Sequence, residues 1–299
     1  MTDTARFEAQ RAHLLGLAYR MLGEMPAAED VVQEAWLRWA REDRSDIRDA
    51  RAWLSAATVR LALDALRKIR ARRESYIGPW LPEPILPDDT RAFAVDAPAA
   101  RAELASDLSF ALLHVLERLS PEERAAFILH DAFDCDYPVI AETLEKSEAA
   151  CRKLVSRARE RVRAERPRYT VSSEAHRNLL TRFSQATLTR DETALVSLFS
   201  PDAILYSDGG GKMPAALNPI YGPDKITRLV LGLTAKLDGA QSVEPLEING
   251  RPGLILRLDG RMDSTLNIET DGTFITAVYL VRNPEKLGRV ERGLTATSH

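Results

Sequence analysis

The spacing of apolar residues changes character along the chain, and each change marks an element or a boundary. Residues 4–73 read as three helices. In the second, from Pro26, Ala28, Val31/Val32, Ala35/Trp36 and Trp39 return every three or four positions, close to the 3.6-residue helical period. Glu29, Asp30, Gln33, Glu34 and Arg38 take the opposite face. The third helix, from about Ala50, buries Trp53, Leu54, Ala57, Leu61 and Leu66 and runs out into "RKIRARR" (67–73). Between the two lies a charged loop, "REDRSDIRD" (41–49). Residues 74–99 hold five prolines and no helical period. Proline fixes φ and lacks the backbone donor, so this segment reads as a stiff, extended linker. Its apolar residues Tyr76, Ile77, Trp80 and Leu81 predict that it docks against another surface. A second helical region spans roughly 101–166. From about 174 one or two helices (174–198) give way to short strands, "AILYSD", "GLILRLD", "DSTLNIET" and "FITAVYLV". Turn sequences such as "NGRPG" and "TDG" separate them, which predicts an α+β domain with a mostly antiparallel, curved sheet.

Residues 120–165 are the most specific. In "SPEE", Ser120 stands at the N-cap, Pro121 at the first helical position and Glu123 at the third, a capping box. The helix it opens presents Ala125, Ile128, Leu129 and Ala132. A short helix follows from about Pro138 to Leu144, then the tight turn "EKS", where Ser147 can cap a long helix. That helix carries Ala150, Leu154, Ala158 and Val162 at i+4 spacing, one narrow apolar stripe. Arg152, Lys153, Ser156, Arg157 and Arg159 lie away from the stripe. Two helices, a tight turn and a basic last helix describe a helix-turn-helix whose last helix enters a major groove. A solvated basic helix in an ordinary bundle is the alternative.

Composition narrows the picture further. The chain of 299 residues accommodates two or three modest domains, and its net charge of −3 conceals two basic stretches, 67–73 and 152–168. No apolar run approaches the roughly 20 residues that span a bilayer. The N-terminus is too evenly charged for a secretory signal, so a cytoplasmic location is expected. Cys135 and Cys151 have no Cys or His partners at metal-ligand spacing, so no metal and no cofactor are expected, and both read as small buried hydrophobes. The triple glycine of "YSDGGGKM" (206–213) invites comparison with a phosphate-binding loop. Such a loop needs a glycine where Tyr206 stands and a Ser or Thr where Met213 stands, and both are absent.

"AEDVVQEAWLRWA" resembles sigma region 2.2, and "RAWLSAATVRLALDALRK" resembles regions 2.3–2.4. "LSPEERAAFILHDAFDCDYPVIAETLEKSEAACRKLVSRARERV" resembles sigma region 4. Together they resemble the extracytoplasmic-function sigma factors. The linker "YIGPWLPEP", the "SDGGGK" loop and the terminal "RNPEKL" narrow this to the subgroup with a SnoaL-like C-terminal extension, although Glu285 stands where the motif more often has Asp. The resemblance implies an all-α region 2 (a three-helix bundle, 1–73), a Pro-rich linker (74–100) and a helix-turn-helix region 4 (101–167). It further implies an α+β SnoaL-like cone related to nuclear transport factor 2 (172–288) and a tail (289–299). It implies that Asp30, Gln33 and Glu34 dock on the clamp helices of the RNA polymerase β′ subunit, with the β flap as a further core contact. The 41–49 loop (Asp46, Ile47, Arg48), with Arg60, Arg67, Lys68 and Arg70, would capture an unpaired promoter −10 element. Arg152, Lys153, Ser156, Arg157 and Arg159 would read the −35 element. The acidic linker residues Glu83, Asp88 and Asp89 would imitate RNA in the polymerase channels. No membrane partner is expected.

Cone domains of this kind include cyclases and isomerases, which need a positioned acid or base. Within this C-terminal part of the chain the only histidines are His176 and His299, and Asp202, Asp208, Asp259 and Asp263 are candidates by residue type alone. Regulation of the sigma regions is the stronger expectation, with the fused domain replacing a separate anti-sigma factor. Asp208, Gly209, Gly210, Gly211 and Lys212 are expected to pack against Tyr76, Trp80, Leu81 and Pro82 or against region 2, glycine permitting close approach. The alternatives are a hairpin turn with no partner, a ligand-responsive helix-turn-helix repressor, and an isomerase fused to a DNA-binding module.

Overall fold

A computed structural model of the chain describes residues 3–42, 47, 49–93, 107–165, 171–236 and 240–297. It divides into two compact units, Met1–Glu74 with Asp88–Pro167, and Ser75–Pro87 with Arg168–His299. The proline-rich segment therefore does not form a free spacer throughout: residues 75–87 group with the C-terminal unit.

In the first unit, α1 (Asp3–Leu22), α2 (Met25–Arg41) and α3 (Ala50–Arg73) pack on one another. Gly23, at φ +70°, turns α1 into α2, and its N–H closes on Tyr19 O at 2.7 Å. Leu14, Leu17 and Met21 of α1, Ala28, Val32, Ala35 and Trp39 of α2, and Leu54, Ala62 and Leu66 of α3 are buried between them. Each such leucine contributes about 1.5–3 kcal/mol by leaving water, which outweighs the weak local preferences of a charged sequence. Trp36 and Leu61 sit half-buried at the edges of their stripes.

The short α4 (Pro87–Ala92) precedes α5 (Phe110–Glu117), α6 (Pro121–Phe127), a π-helical turn (Ile128–Ala132), α7 (Tyr137–Leu144) and α8 (Glu148–Glu165). The capping box at α6 is complete: Glu123 N–H donates to Ser120 Oγ (3.2 Å) and Ser120 N–H to Glu123 Oε2 (3.0 Å). α7 stops where Glu145 turns left-handed (φ 54°), and Ser147 Oγ accepts from Ala150 N–H (3.3 Å) to start α8. The buried stripe of α8 is Cys151, Leu154, Val155, Ala158 and Val162, with Ala150 only half-buried. It is wider than the strict i+4 series because residues one apart share the 100° arc a helix buries.

The second unit holds α9 (Ser173–Leu188), α10 (Glu192–Leu198), α11 (Pro223–Ala235), α12 (Pro284–Thr297) and a six-stranded sheet. The strands are β1 (Phe199–Asp208), β2 (Ile220–Tyr221), β3 (Gln241–Ile248), β4 (Arg251–Leu258), β5 (Arg261–Thr270) and β6 (Ile275–Val281), in the order β2-β1-β6-β5-β4-β3. Only the β1–β6 pair is parallel. Period-two alternation puts Ala203, Leu205, Leu254, Leu266, Ile268, Val278 and Leu280 into one core with Leu179, Phe183, Leu195, Ile226 and Val230 of the helices. Asn249-Gly250 and Asp259-Gly260 turn with positive φ at both residues, as two-residue hairpins require. On the opposite face, Tyr206 and Tyr279 stack at 5.6 Å and 10° on the neighbouring β1 and β6.

Two boundaries differ from the sequence reading. β3 was hidden by its Pro245 and its exposed polar residues, both tolerated because it is an edge strand. A tail beginning at 289 would cut through α12, which opens at Asn283–Pro284 and buries Leu287 and Val290. Asn283 Oδ1 caps it by accepting from Glu285 N–H at 3.1 Å.

Candidate functional site

α2 presents Asp30, Gln33 and Glu34 together on its exposed side, because Val31, Val32 and Ala35 turn the other side into the core. In the 41–49 loop Asp46 and Arg48 lie outside the described residues, and Ile47 is half-buried. Trp53 packs at the edge of the core, its ring 5.4 Å from that of Trp39.

The basic side chains of α3 are engaged by the later helices of the same unit. Arg60 donates to the carbonyls of Glu142 (2.9 Å) and Thr143 (3.1 Å) at the end of α7. Arg67 pairs with Asp64 (3.1 Å) and with Glu122 of α6 (2.8 Å). Arg70 donates to Glu117 O (2.9 Å) and to Leu119 O. Lys68 is exposed. Arg73, which the sequence reading passed over, is half-buried and pairs with Glu24 (2.8 Å) and Glu117 (2.5 Å). Glu117 also receives Arg124 (2.8 Å), whose other arm reaches Met21 O (2.7 Å). Burial alone would raise the Glu117 carboxyl, but Arg124 and Arg73 outweigh it and hold the group at about 2. The only sequence signal for this cluster was a basic run beside a helix rich in apolar residues, which says nothing about pairing.

On α8, Arg152, Lys153, Ser156 and Arg157 are exposed on the side away from the stripe. Arg152 pairs with Glu148 (2.8 Å) and lies 4.7 Å from the centre of the Tyr137 ring. Arg157 pairs with Glu123 (2.9 Å). Arg159 differs from the others. It grips the mostly buried Asp131 with Nε at 3.0 Å and Nη2 at 2.6 Å, and Nη2 also meets His130 Nδ1 at 3.2 Å. Those bonds hold its guanidinium above its ordinary range. Arg159 therefore locks α8 to the π-helical turn, which leaves Arg152, Lys153, Ser156 and Arg157 as the outward-facing group.

In the second unit the triple-glycine loop and the linker meet. Asp208, fully buried at the end of β1, accepts from Tyr76 Oη (2.5 Å), Leu81 N–H (2.9 Å), Lys286 Nζ (2.7 Å) and Gly210 N–H (3.1 Å). Lys286 also donates to Leu81 O (2.5 Å), and its Nζ lies 4.1 Å from the centre of the Trp80 ring. Asn283 Nδ2 donates to Tyr76 Oη at 2.9 Å. Four residues on, Ile85 N–H donates to Asn249 Oδ1 and Asn249 N–H to Ile85 O, each at 3.0 Å. The linker thus runs from the end of β1 to the β3–β4 turn, with residues 81–85 buried. The glycines are explained by contact: a side chain on Gly210 (φ +60°) would strike Asn283, and one on Gly211 (φ +72°) would come within 2.8 Å of Ile77. Lys212 pairs with Glu285 instead of with the linker.

The four candidate aspartates have separate positions. Asp208 is committed to the linker and Asp263 to Arg282 (2.7 Å). Asp259 sits in the β4–β5 turn and accepts from Ala240 N–H (2.9 Å), and Asp202 is exposed. Burial, with Arg251 nearby, lowers His176 to about 4. His299 lies outside the described residues. Among the described residues no group of three or more His, Cys, Asp or Glu is placed to hold a metal ion, and no helix is long and apolar enough to cross a membrane.

The same arrangement has relatives. Residues 7–73 match the family model of sigma-70 region 2, and residues 109–162 match that of sigma-70 region 4. The chain is 44% identical over 235 residues to the ECF RNA polymerase sigma factor SigJ of Mycobacterium tuberculosis (strain ATCC 25618 / H37Rv), covering 78% of this chain and 74% of that one. A probable ECF RNA polymerase sigma factor, SigI, of the same strain is 31% identical over 95% of this chain and 94% of its own. The crystal structure of Mycobacterium tuberculosis SigJ superposes with a TM-score of 0.74 at 36% identity, covering 95% of this chain and 98% of that one. The helical unit with its two sigma regions, the fused α+β domain and these relatives together place the chain in the ECF sigma factors of RNA polymerase, which direct transcription initiation and are not enzymes.

Proposed function

We propose that the C-terminal domain governs this sigma factor by its hold on the linker, in place of a separate anti-sigma protein. The buried Asp208–Lys286 pair closed around Tyr76, Trp80 and Leu81 carries this reading. A linker that merely spaced two domains would not need a buried ion pair, which is costly to desolvate and rewards only a defined geometry. On the polymerase side, the exposed acidic group of α2 (Asp30, Gln33, Glu34) is suited to a basic coiled coil, the β′ clamp helices, with the β flap as a further contact. On the DNA side, Arg152, Lys153, Ser156 and Arg157 of α8 are exposed for the −35 element, with Arg159 in a positioning role. Arg60, Arg67 and Arg70 serve the −10 strand after exchanging their present partners for phosphate. A protein that works with RNA polymerase is expected in the cytoplasm.

The test is run-off transcription with purified core polymerase and a matched promoter. The full chain should confer promoter-specific initiation, and Asp208→Ala and Trp80→Ala should each alter its yield with non-additive effects. Strictly additive effects, or no effect, would remove the linker from the mechanism. Failure to bind core polymerase at all would remove the clamp-helix assignment.

A further inference from the structure

Three arginines of α8 form ion pairs, and each is held in a different way. Arg159 gives both Nε and Nη2 to Asp131, which uses up one edge of its guanidinium. Arg152 gives Nη2 to Glu148 (2.8 Å), one turn back on the same helix, and lies against the Tyr137 ring. Arg157 gives only Nε, at 2.9 Å, to Oε1 of Glu123 on α6. Among the described residues its two terminal nitrogens have no partner, and its side chain is 61% exposed.

Glu123 is a fixed anchor. Its Oε2 accepts from Ser120 N–H, so the capping box that starts α6 also holds this carboxylate, which is 14% exposed. A surface ion pair usually contributes little, because two long side chains must be ordered to form it. Here Glu123 is ordered already, and only Arg157 loses freedom. With Nε bonded to Glu123, the remaining free edge of the guanidinium is the terminal one, Nη1 beside Nη2. Two parallel N–H groups at that spacing match O6 and N7 of guanine. A phosphate brought to the same fork would face the Glu123 carboxylate, whereas a base edge carries no net charge to be repelled.

We propose that Glu123 is a positioning residue for promoter recognition, aiming Arg157 so that its free fork reads one guanine of the −35 element. The role deepens the −35 reading of α8 and rests on it, adding which side chain reads a base and which one orients it. Glu123 lies outside the recognition helix and never touches DNA. It acts by restricting Arg157 to the rotamers that present the fork, so that little side-chain entropy remains to be lost on binding. Lys153 carries a point charge without a fork and serves the phosphates instead.

The test is selection by the holoenzyme, the full chain on core polymerase, from promoter duplexes randomised across the −35 element. The wild-type chain should prefer guanine at one position by roughly tenfold over the other bases. Arg157→Ala should flatten that position and leave the others as they were. In Glu123→Gln the side-chain carbonyl still accepts from Ser120 N–H, so the capping box and the melting temperature are kept, but no carboxylate oxygen is left for Arg157. The guanine preference should fall about threefold at the same position, the worth of one exposed pair. If that variant does not fold, Glu123→Asp, with the same charge on a stem one methylene shorter, should show the same fall. In an Arg157→Ala background, Glu123→Gln should change no preference further. An unchanged guanine preference in a folded Glu123 variant, or an even loss on every duplex that persists without Arg157, would overturn the positioning role. An even loss on every duplex in Arg157→Ala would make Arg157 a phosphate contact and overturn the base reading. No enrichment at any −35 position by the wild-type holoenzyme would instead overturn the placement of α8 on that element.

Discussion

Replacing Asp208 with Asn keeps the volume and removes the charge, which isolates what the buried pair does. Lys286, 7% exposed, would keep Leu81 O and the Trp80 face but lose its counter-charge. Removing one partner of a buried pair costs about 3–5 kcal/mol. If residues 76–86 are held as a unit, their opening becomes more frequent by a factor of roughly a hundred to a few thousand. The Ile85 amide is a clean reporter, because its bond is to Asn249 and the substitution does not touch that bond. Hydrogen exchange at Ile85 should accelerate by at least a hundredfold in Asp208→Asn, with no comparable change at Leu54 or Leu66 in the other unit. Lys286→Met should cost less, since Asp208 keeps the donors of Tyr76, Leu81 and Gly210. The double variant should recover about 2 kcal/mol relative to the sum of the singles. Wild-type protection at Ile85 in Asp208→Asn, or a strictly additive cycle, would show that the linker is held by its apolar contacts and that the ion pair is incidental.

Three further outcomes are expected. Glu117 titrates near 2 folded against 4.5 for an unperturbed group, so its contribution, on the order of 3 kcal/mol, is complete above pH 4.5 and is lost as pH falls toward 2. Denaturant melts of Glu117→Gln should lack that loss, whereas the earlier decline from pH 6.5 to 4, caused by charging the half-buried His13 and His114 and the buried His176, should remain in both proteins. Arg159→Ala should lower the melting temperature and Asp131→Asn should do the same, while Lys153→Ala should leave stability unchanged and reduce the salt dependence of −35 duplex binding by about one counterion. Gly210→Ala should destabilise the second unit by about 1–3 kcal/mol in a thermal melt, through its positive φ and the clash with Asn283.

The elements most legible in the sequence were those with local signals. The capping box at Ser120, the tight turn before Ser147 and the 3.6 period of α2 each depend on residues within one or two turns, and each is where the pattern put it. The α11 helix and the β3 strand were not foreseen, because the first begins at a positive-φ Gly222 and the second is a polar edge. The site was legible in its parts and illegible in its pairing. Asp208, the linker aromatics and the terminal "RNPEKL" each stood out, yet nothing local says that Lys286 rather than Lys212 reaches Asp208. That choice is made by α12, whose helical turn points Lys286 inward and leaves Glu285 outside to meet Lys212. Similarly, Arg159 and Arg157 look equivalent in sequence and are separated only by the π-helical turn that carries Asp131.

The arginines of α3 do not all hold the same kind of partner. Arg67 and Arg73 face carboxylates, whereas Arg60 and Arg70 face backbone carbonyls, which are dipoles without net charge. A polyanion gains least at the first two, since it would trade one negative group for another, so Arg67 would follow only after Arg60 and Arg70. To Arg60 and Arg70 it offers a full charge in place of a partial one, a gain that shrinks as added salt screens it. Displacement by nucleic acid should therefore begin at these two positions. Low ionic strength should favour that exchange, while α3 stays fastened at Arg73.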